Sequence, residues 1–134
     1  MNRPRLILLV GIPGSGKTTY AKEHIKTCLA ELAEEGIECP SVEIGIMIEV
    51  PAAVMQVEQL AKEADFFSIG TNDLIQFTLA VDRSNEMIAD MFQPHHPAIL
   101  NMIYNTVIAA HKEGIPVAVC GEMSADPFSI LLLI

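Results

Sequence analysis

The sequence predicts an α/β protein built on a parallel sheet, and three observations support this. Short apolar segments recur four times, each is followed by apolar residues at helical spacing, and polar residues come only at the ends of the apolar segments. Fully apolar strands that alternate with helices are typical of a parallel sheet covered by helices. A chain of 134 residues suffices for one hydrophobic core. We therefore expect a single α/β domain over residues 1–134.

The predicted strands cover residues 5–10, 43–48, 65–69 and 116–120. We expect them to form a four-stranded parallel (βα)4 sheet in sequential order, similar to half of a barrel. The alternative is an open three-layer sheet of the P-loop or flavodoxin type, in which the first strand lies between later ones. Open sheet edges in either form predict pairing with a second copy, as a homodimer.

Proline, glycine and small polar residues mark the predicted helix boundaries. The first helix is expected from Lys17 to about residue 35, where Gly36 ends it. Residues 82–97 are rich in Pro, Asn, Asp and Ser, and this composition predicts an irregular segment. The remaining boundaries are helix starts at Pro51, Asn72, Pro97 and Pro127, and a helix end at Gly114.

The composition excludes several classes of function. Eight basic and 17 acidic residues leave a formal net charge of −9, which excludes general binding of nucleic acid through its phosphates. No apolar run reaches the length of a transmembrane helix, so no membrane role is expected. The three cysteines form no CxxC pair, and a reducing compartment suits them. We expect a cytoplasmic protein.

A phosphate-binding loop is predicted between the first strand and the first helix. The segment from Gly11 to Thr18 satisfies the pattern G-x-x-x-x-G-K-[ST] in the strand-to-helix context that the pattern requires. Backbone N–H groups of such a loop surround a phosphate, the lysine adds a cation, and the hydroxyl of Thr18 can hold Mg²⁺. A glycine-rich turn without a ligand is the alternative. The candidate ligand-binding residues are Gly11, Gly14, Ser15, Gly16, Lys17, Thr18 and Thr19.

Residues 1–25 resemble the beginning of P-loop kinases of the polynucleotide kinase type. The resemblance implies that the loop binds ATP or another nucleoside triphosphate with Mg²⁺, or phosphate or sulfate alone. Such kinases also place arginines over the phosphates. Beyond residue 26 the basic residues are Lys62, Arg83 and Lys112, so an arginine-rich lid is not expected.

Acidic side chains follow two of the predicted strands. Glu49 comes directly after the second strand, and Asp73 follows the third. The carboxyl ends of parallel strands form one ligand-binding edge, and carboxylate oxygens suit Mg²⁺. Glu49 and Asp73 are therefore candidate metal ligands. The alternative is that both are helix caps without a ligand.

Residues from about 27 to 134 resemble the phosphoenolpyruvate-binding barrel of enzyme I of the sugar phosphotransferase system. The resemblance rests on the segments EIGIMIEVPAA, DFFSIGTNDL, TLAVDR, QPHHPAI and CGEM. It implies that Glu49 and Asp73 bind Mg²⁺, that Asn72 and Arg83 contact the phosphate, and that Cys120 protonates the enolpyruvate carbon. On its residue type and its apolar strand alone, the favoured interpretation of Cys120 is a packed, unreactive thiol. A complete barrel supplies further arginines, and a separate domain supplies the phosphohistidine.

The two resemblances meet near residues 25–29, where the charge also changes. Residues 1–28 contain five basic residues and one acidic residue, whereas residues 29–134 contain three and sixteen. Because the junction of the two resemblances coincides with this change in charge, we expect an engineered chimera. Such a chimera would bind a small phosphate ligand or Mg-nucleotide with little or no turnover. The alternatives are a small P-loop kinase or ATPase that uses Glu49 and Asp73 for Mg²⁺, a remnant phosphoenolpyruvate site, and a folding scaffold with vestigial sites. Whether the chain is an enzyme is left open.

Overall fold

A computed structural model describes residues 5–9 and 17–133 of the chain. Its sheet contains four strands: β1 (Arg5–Leu9), β2 (Glu43–Ile48), β3 (Phe66–Gly70) and β4 (Val117–Cys120). All neighbours are parallel, and the order is β1-β2-β3-β4. The expected α/β class with a parallel sheet is therefore confirmed. Because the order is sequential, β1 lies at an edge of the sheet rather than between later strands.

Six helices accompany the sheet in the described part of the chain. They are α1 (Lys17–Glu34), α2 (Pro51–Val54), α3 (Val57–Ala61), α4 (Thr71–Leu79), α5 (Pro97–Glu113) and α6 (Pro127–Leu133). The helix expected after β2 begins at Pro51 but is divided into α2 and α3, because Gln56 leaves the helical region at φ −117° and ψ 15°. None of the described helices combines the length and apolar character needed to cross a bilayer.

The core lies between one face of the sheet and the helices α2 to α5. Strand alternation places Ile46 and Ile48 of β2 on this face together with Phe67 and Ile69 of β3, and all four are fully buried. Helix α5 packs against α3 and β3 across this core. The opposite face is crowded at Gly45, where an added Cβ would lie 2.2 Å from the ring of Phe66.

The ends of α5 show why the sequence signals mark helix boundaries correctly. His96 caps the start, since the backbone N–H of Ala98 donates to its Nδ1 at 3.1 Å. Gly114 ends the helix in the left-handed region at φ +74°, and its N–H bonds back to the last turn. The segment between α4 and α5 is irregular as expected, apart from one 3₁₀ turn at Ala89–Met91.

The predicted phosphate loop falls largely on residues that the structure does not describe. Gly11, Gly14, Ser15 and Gly16 lie outside the described residues, as do the side chains of Lys17 and Thr18. Two described features bear on the segment. Helix α1 begins at Lys17, as the pattern requires, and Thr19 is an exposed residue of its first turn.

Candidate functional site

The candidate site lies at the carboxyl edge of the sheet. Parallel pairing of β2, β3 and β4 brings the C-terminal ends of these strands to the same side. Glu49 follows β2, Asn72 and Asp73 lie in the first turn of α4 directly after β3, and Cys120 ends β4. The structure therefore brings together side chains that are up to 71 positions apart in the sequence.

Glu49 lies against the backbone of Gly70. A Cβ added to Gly70 would be 3.0 Å from the Cβ of Glu49 and 3.5 Å from its Oε2. The 3.0 Å separation between the two Cβ atoms is shorter than ordinary van der Waals contact. The absence of a side chain at Gly70 therefore allows the carboxylate of Glu49 to lie beside the end of β3.

The carboxylates of Glu49 and Asp73 act on each other electrostatically. Partial burial raises the pKa of Glu49 above its usual value, and the negative charge of Asp73 raises it further. Two like charges near each other favour a bound cation, because a cation offsets their repulsion. Mg²⁺ is bound in proteins through one or two carboxylates, with water and phosphate oxygens as further ligands. This pair fits that requirement.

A metal cage made entirely of protein ligands is a different kind of site. Within residues 5–9 and 17–133, no group of three or more His, Cys, Asp or Glu side chains is placed to hold a metal ion. The third metal ligand that the sequence predicts, the hydroxyl of Thr18, lies outside what the structure describes. The described donors are thus sufficient for a Mg²⁺ ion that shares its coordination with a ligand.

The thiol of Cys120 is held at the end of β4 by two hydrogen bonds. It donates to the backbone oxygen of Ile69 at 3.2 Å and accepts from the hydroxyl of Ser68 at 3.4 Å. The side chain is half-buried. These contacts orient the S–H group toward β3. They suit either a proton donor or a packed thiol.

The turn after Cys120 is held against the start of α4. The hydroxyl of Thr71 donates to the backbone oxygen of Cys120 at 2.8 Å. Gly121 then adopts φ +94° and ψ −176°, a conformation that is essentially restricted to glycine. The next backbone N–H, that of Glu122, donates to Oδ1 of Asn72 at 3.4 Å. Hydrogen bonds therefore hold the turn after β4 against the residues that follow β3.

Arg83 reaches this edge through an ion pair that sequence reasoning missed. Its Nη1 donates to Oε1 of Glu122 at 2.5 Å, although the two residues are 39 positions apart. Ser68, Thr71 and Glu122 were not predicted as site residues. The signal that could have indicated Glu122 is its position two residues after Cys120, beyond a glycine at a strand end.

The comparisons with known proteins show the family. The model of the phosphoenolpyruvate-binding domain of phosphoenolpyruvate-utilising enzymes matches residues 10–134. The phosphoenolpyruvate-protein phosphotransferase of Lactococcus lactis subsp. lactis (strain IL1403) is 52% identical over 129 residues, which cover 96% of this chain and 22% of that protein. The phosphotransferase of the same name from Geobacillus stearothermophilus is 55% identical over 93 residues, covering 69% of this chain and 16% of that protein.

A solved structure supports the fold. A citrate lyase from Burkholderia xenovorans LB400 superposes with a TM-score of 0.57 at 18% identity, over 95% of this chain and 46% of that chain. At this identity the likeness concerns the fold alone. The chain spans about a fifth of the length of the curated relatives that it matches.

The comparisons confirm one of the two resemblances stated from the sequence and do not support the other. The resemblance of residues 27–134 to a phosphoenolpyruvate-binding barrel is confirmed. Nothing in these comparisons supports the P-loop kinase resemblance of residues 1–25, a chimera joined near residues 25–29, or ATP as a ligand. The family match begins at residue 10 and so includes most of the predicted phosphate loop. The G-x-x-x-x-G-K-[ST] pattern is short, and a match to such a motif is a hypothesis about a site that does not by itself establish a family. The chain belongs to the family of phosphoenolpyruvate-binding domains of phosphoenolpyruvate-utilising enzymes.

Proposed function

We propose that this chain binds phosphoenolpyruvate together with Mg²⁺ at the carboxyl edge of its sheet, as part of the barrel of a phosphoenolpyruvate-protein phosphotransferase. One observation carries the proposal: Asp73 lies close enough to Glu49 to raise the pKa of Glu49, at the same edge that holds Asn72 and Cys120. The amide of Asn72 suits the phosphate of phosphoenolpyruvate, the thiol of Cys120 suits its enol carbon, and a Mg²⁺ ion held by Glu49 and Asp73 suits its anionic oxygens.

Glu49 and Asp73 would hold the Mg²⁺ ion. When bound, the ion supplies positive charge that stabilises the phosphate and enolate oxygens of the ligand. In this chain the two carboxylates contribute the negative charge that attracts the ion. The pKa of Glu49 lies above its usual value, so we expect protonation of Glu49 to compete with metal binding as the pH falls.

Asn72 and Arg83 would bind the phosphate. Oδ1 of Asn72 accepts from the N–H of Glu122, and this bond leaves both N–H groups of the Asn72 amide for a phosphate oxygen. Arg83 contributes a permanent positive charge and several donors, and the described contact uses only its Nη1. Both side chains therefore retain donors for an anion.

Cys120 would hold the proton that the enol carbon receives. Its hydrogen bond to the carbonyl of Ile69 requires a protonated sulfur, and the Ser68 hydroxyl fixes the position of that sulfur. Transfer of the phosphoryl group from phosphoenolpyruvate to an acceptor, the histidine of a separate domain in this family, leaves an enolate, which becomes pyruvate when its carbon takes up one proton. The thiol is the group at the end of β4 that can supply it.

Isothermal titration of phosphoenolpyruvate into the chain, with and without Mg²⁺, tests the proposal. We expect Mg²⁺ to increase the affinity, and we expect Glu49→Gln and Asp73→Asn to abolish most of this increase. Glu58→Gln is the matched control, because it removes one exposed carboxylate that pairs with Lys112 instead. Affinity that is independent of Mg²⁺, or equal losses in all three variants, would contradict the proposal.

A Mg-nucleotide bound at Gly11–Thr18 is a second candidate. The observation that favours it is the parallel pairing of β1 with β2, since the chain leaves β1 at the edge where Glu49 lies and enters α1 at Lys17. Titration with ATP and Mg²⁺ distinguishes the candidates. Binding that is lost in Lys17→Ala, and that phosphoenolpyruvate does not displace, would support the nucleotide.

A further inference from the structure

We propose that Glu122 is an internal competitor for the anionic ligand: its carboxylate occupies Arg83 until a phosphate group displaces it. The inference rests on the proposed function, in which Arg83 binds the phosphate of phosphoenolpyruvate. Glu122 is thus a positioning residue that acts through Arg83 and sets the affinity of the site for anions.

Glu122 contacts both residues proposed for phosphate binding. Its carboxylate accepts from Nη1 of Arg83, and its backbone N–H donates to Oδ1 of Asn72. Carboxylate and phosphate oxygens accept from a guanidinium group in the same way, with similar distances and geometry. The Glu122 carboxylate therefore takes a position on Arg83 that an oxygen of the ligand would take.

Hydrogen bonds fix the backbone of the turn after β4, whereas the side chains of Arg83 and Glu122 reach solvent. The hydroxyl of Thr71 bonds to the oxygen of Cys120 at 2.8 Å, and the hydroxyl of Ser124 donates to the oxygen of Gly121 at 2.7 Å. The side chains of Arg83 and Glu122 are 49% and 72% exposed. Glu122 can therefore release Arg83 by rotating its side chain, without rearrangement of the turn between β4 and α6.

The ion pair is weak enough for a ligand to displace. It involves one guanidinium nitrogen and one carboxylate oxygen, and both side chains reach solvent. Exposed pairs of this kind change an equilibrium by a factor of about two to five. A phosphate dianion carries more charge and more acceptor oxygens than a carboxylate, so it competes successfully for Arg83.

Removal of the competing carboxylate is expected to strengthen anion binding. We expect Glu122→Gln to tighten the binding of phosphoenolpyruvate and of inorganic phosphate by roughly two- to fivefold at constant Mg²⁺. If Glu122 instead holds Arg83 in a binding-competent orientation, the same variant weakens binding. The two roles therefore predict changes of opposite sign.

A matched control separates this effect from a general change in charge. Glu86 is an exposed acid in the segment that carries Arg83, three positions further along the chain. Glu86→Gln removes one negative charge, as Glu122→Gln does, and we expect it to leave the affinity unchanged. Arg83→Ala should weaken binding. Adding Glu122→Gln to Arg83→Ala should restore little of the lost affinity, because Glu122 acts through Arg83.

The experiment is calorimetric titration of wild type and these four variants, with folding checked by circular dichroism. NMR of the Arg83 Nε–H adds a direct readout: saturating phosphate should bring this signal in wild type to the position that it takes in phosphate-bound Glu122→Gln. Unchanged or weaker binding in Glu122→Gln, or an equal gain of affinity in Glu86→Gln, overturns this inference. The proposed function still stands in that case if the wild type binds phosphoenolpyruvate. Failure of wild type and all variants to bind phosphoenolpyruvate overturns both.

Discussion

Replacement of Gly121 by alanine tests the geometry of the turn after β4, which packs against the start of α4. Gly121 has φ +94° and ψ −176°, and a Cβ placed on it would lie 2.5 Å from Oγ1 of Thr71. The same Cβ would lie 3.3 Å from Oδ1 of Asn72. Thr71 is fully buried, so its hydroxyl has little room to move away.

Two costs determine the size of the expected effect. A residue other than glycine in this region of φ and ψ costs on the order of 1–3 kcal/mol. Movement of the Thr71 hydroxyl would break its hydrogen bond to the Cys120 oxygen, which adds about 0.5–1.5 kcal/mol. We therefore expect Gly121→Ala to lower the free energy of unfolding by about 2–4 kcal/mol and to weaken phosphoenolpyruvate binding through Asn72.

Urea unfolding followed by circular dichroism measures this loss, and Gly114→Ala is its matched control. Gly114 also has a positive φ, +74°, but an added Cβ meets no atom within 4 Å. Its replacement should cost only the strain of a left-handed residue, about 1–2 kcal/mol. Thr71→Ala added to Gly121→Ala should cost less than the sum of the single changes. Equal losses at Gly114 and Gly121 would refute the reasoning.

Three further predictions concern the sheet face opposite the core, the pair Glu49 and Asp73, and the start of α6. Gly45→Ala places a Cβ 2.2 Å from the Phe66 ring and should cost about 1–3 kcal/mol in urea unfolding, and Phe66→Leu in the same chain should recover part of it. The folded-state pKa of Glu49 is raised, so its contribution to stability is present below the usual glutamate pKa and is lost as the pH rises. Without Mg²⁺, Glu49→Gln should therefore flatten the fall in melting temperature above about pH 4.5, and Asp73→Asn should do so partly; identical pH profiles would contradict this. Hydrogen bonds from Ser129 lower the pKa of Asp126, whose contribution is lost as the pH falls, so Asp126→Asn should show a shallower acid-induced decrease in urea midpoint than wild type.

The sequence by itself determined the class of fold and the edge at which the site lies. Apolar strands alternating with helices require a parallel sheet, and the second predicted strand coincides with Glu43–Ile48 of the structure. Because side chains at the carboxyl ends of parallel strands share one edge, the positions of Glu49, Asp73 and Cys120 along the chain were sufficient to place them together.

Glycine and proline positions were equally informative about helix boundaries. Pro97 and Gly114 mark the two ends of α5 because each restricts or permits a particular backbone conformation regardless of its surroundings. The glycine-rich pattern before Lys17 predicted a P-loop kinase segment that the comparisons do not support, because such a pattern reflects local backbone requirements and does not identify the family around it.

Only the tertiary structure decided which site residues touch. The pairing of Arg83 with Glu122, the approach of Glu49 to Gly70 and the bond from Thr71 to Cys120 join residues from separate segments of the chain. Local spacing governs which face or end of an element a residue occupies, and the sequence reveals that much. Contacts between loops depend on strand register and on the path of each turn, which arise only when the whole sheet has formed.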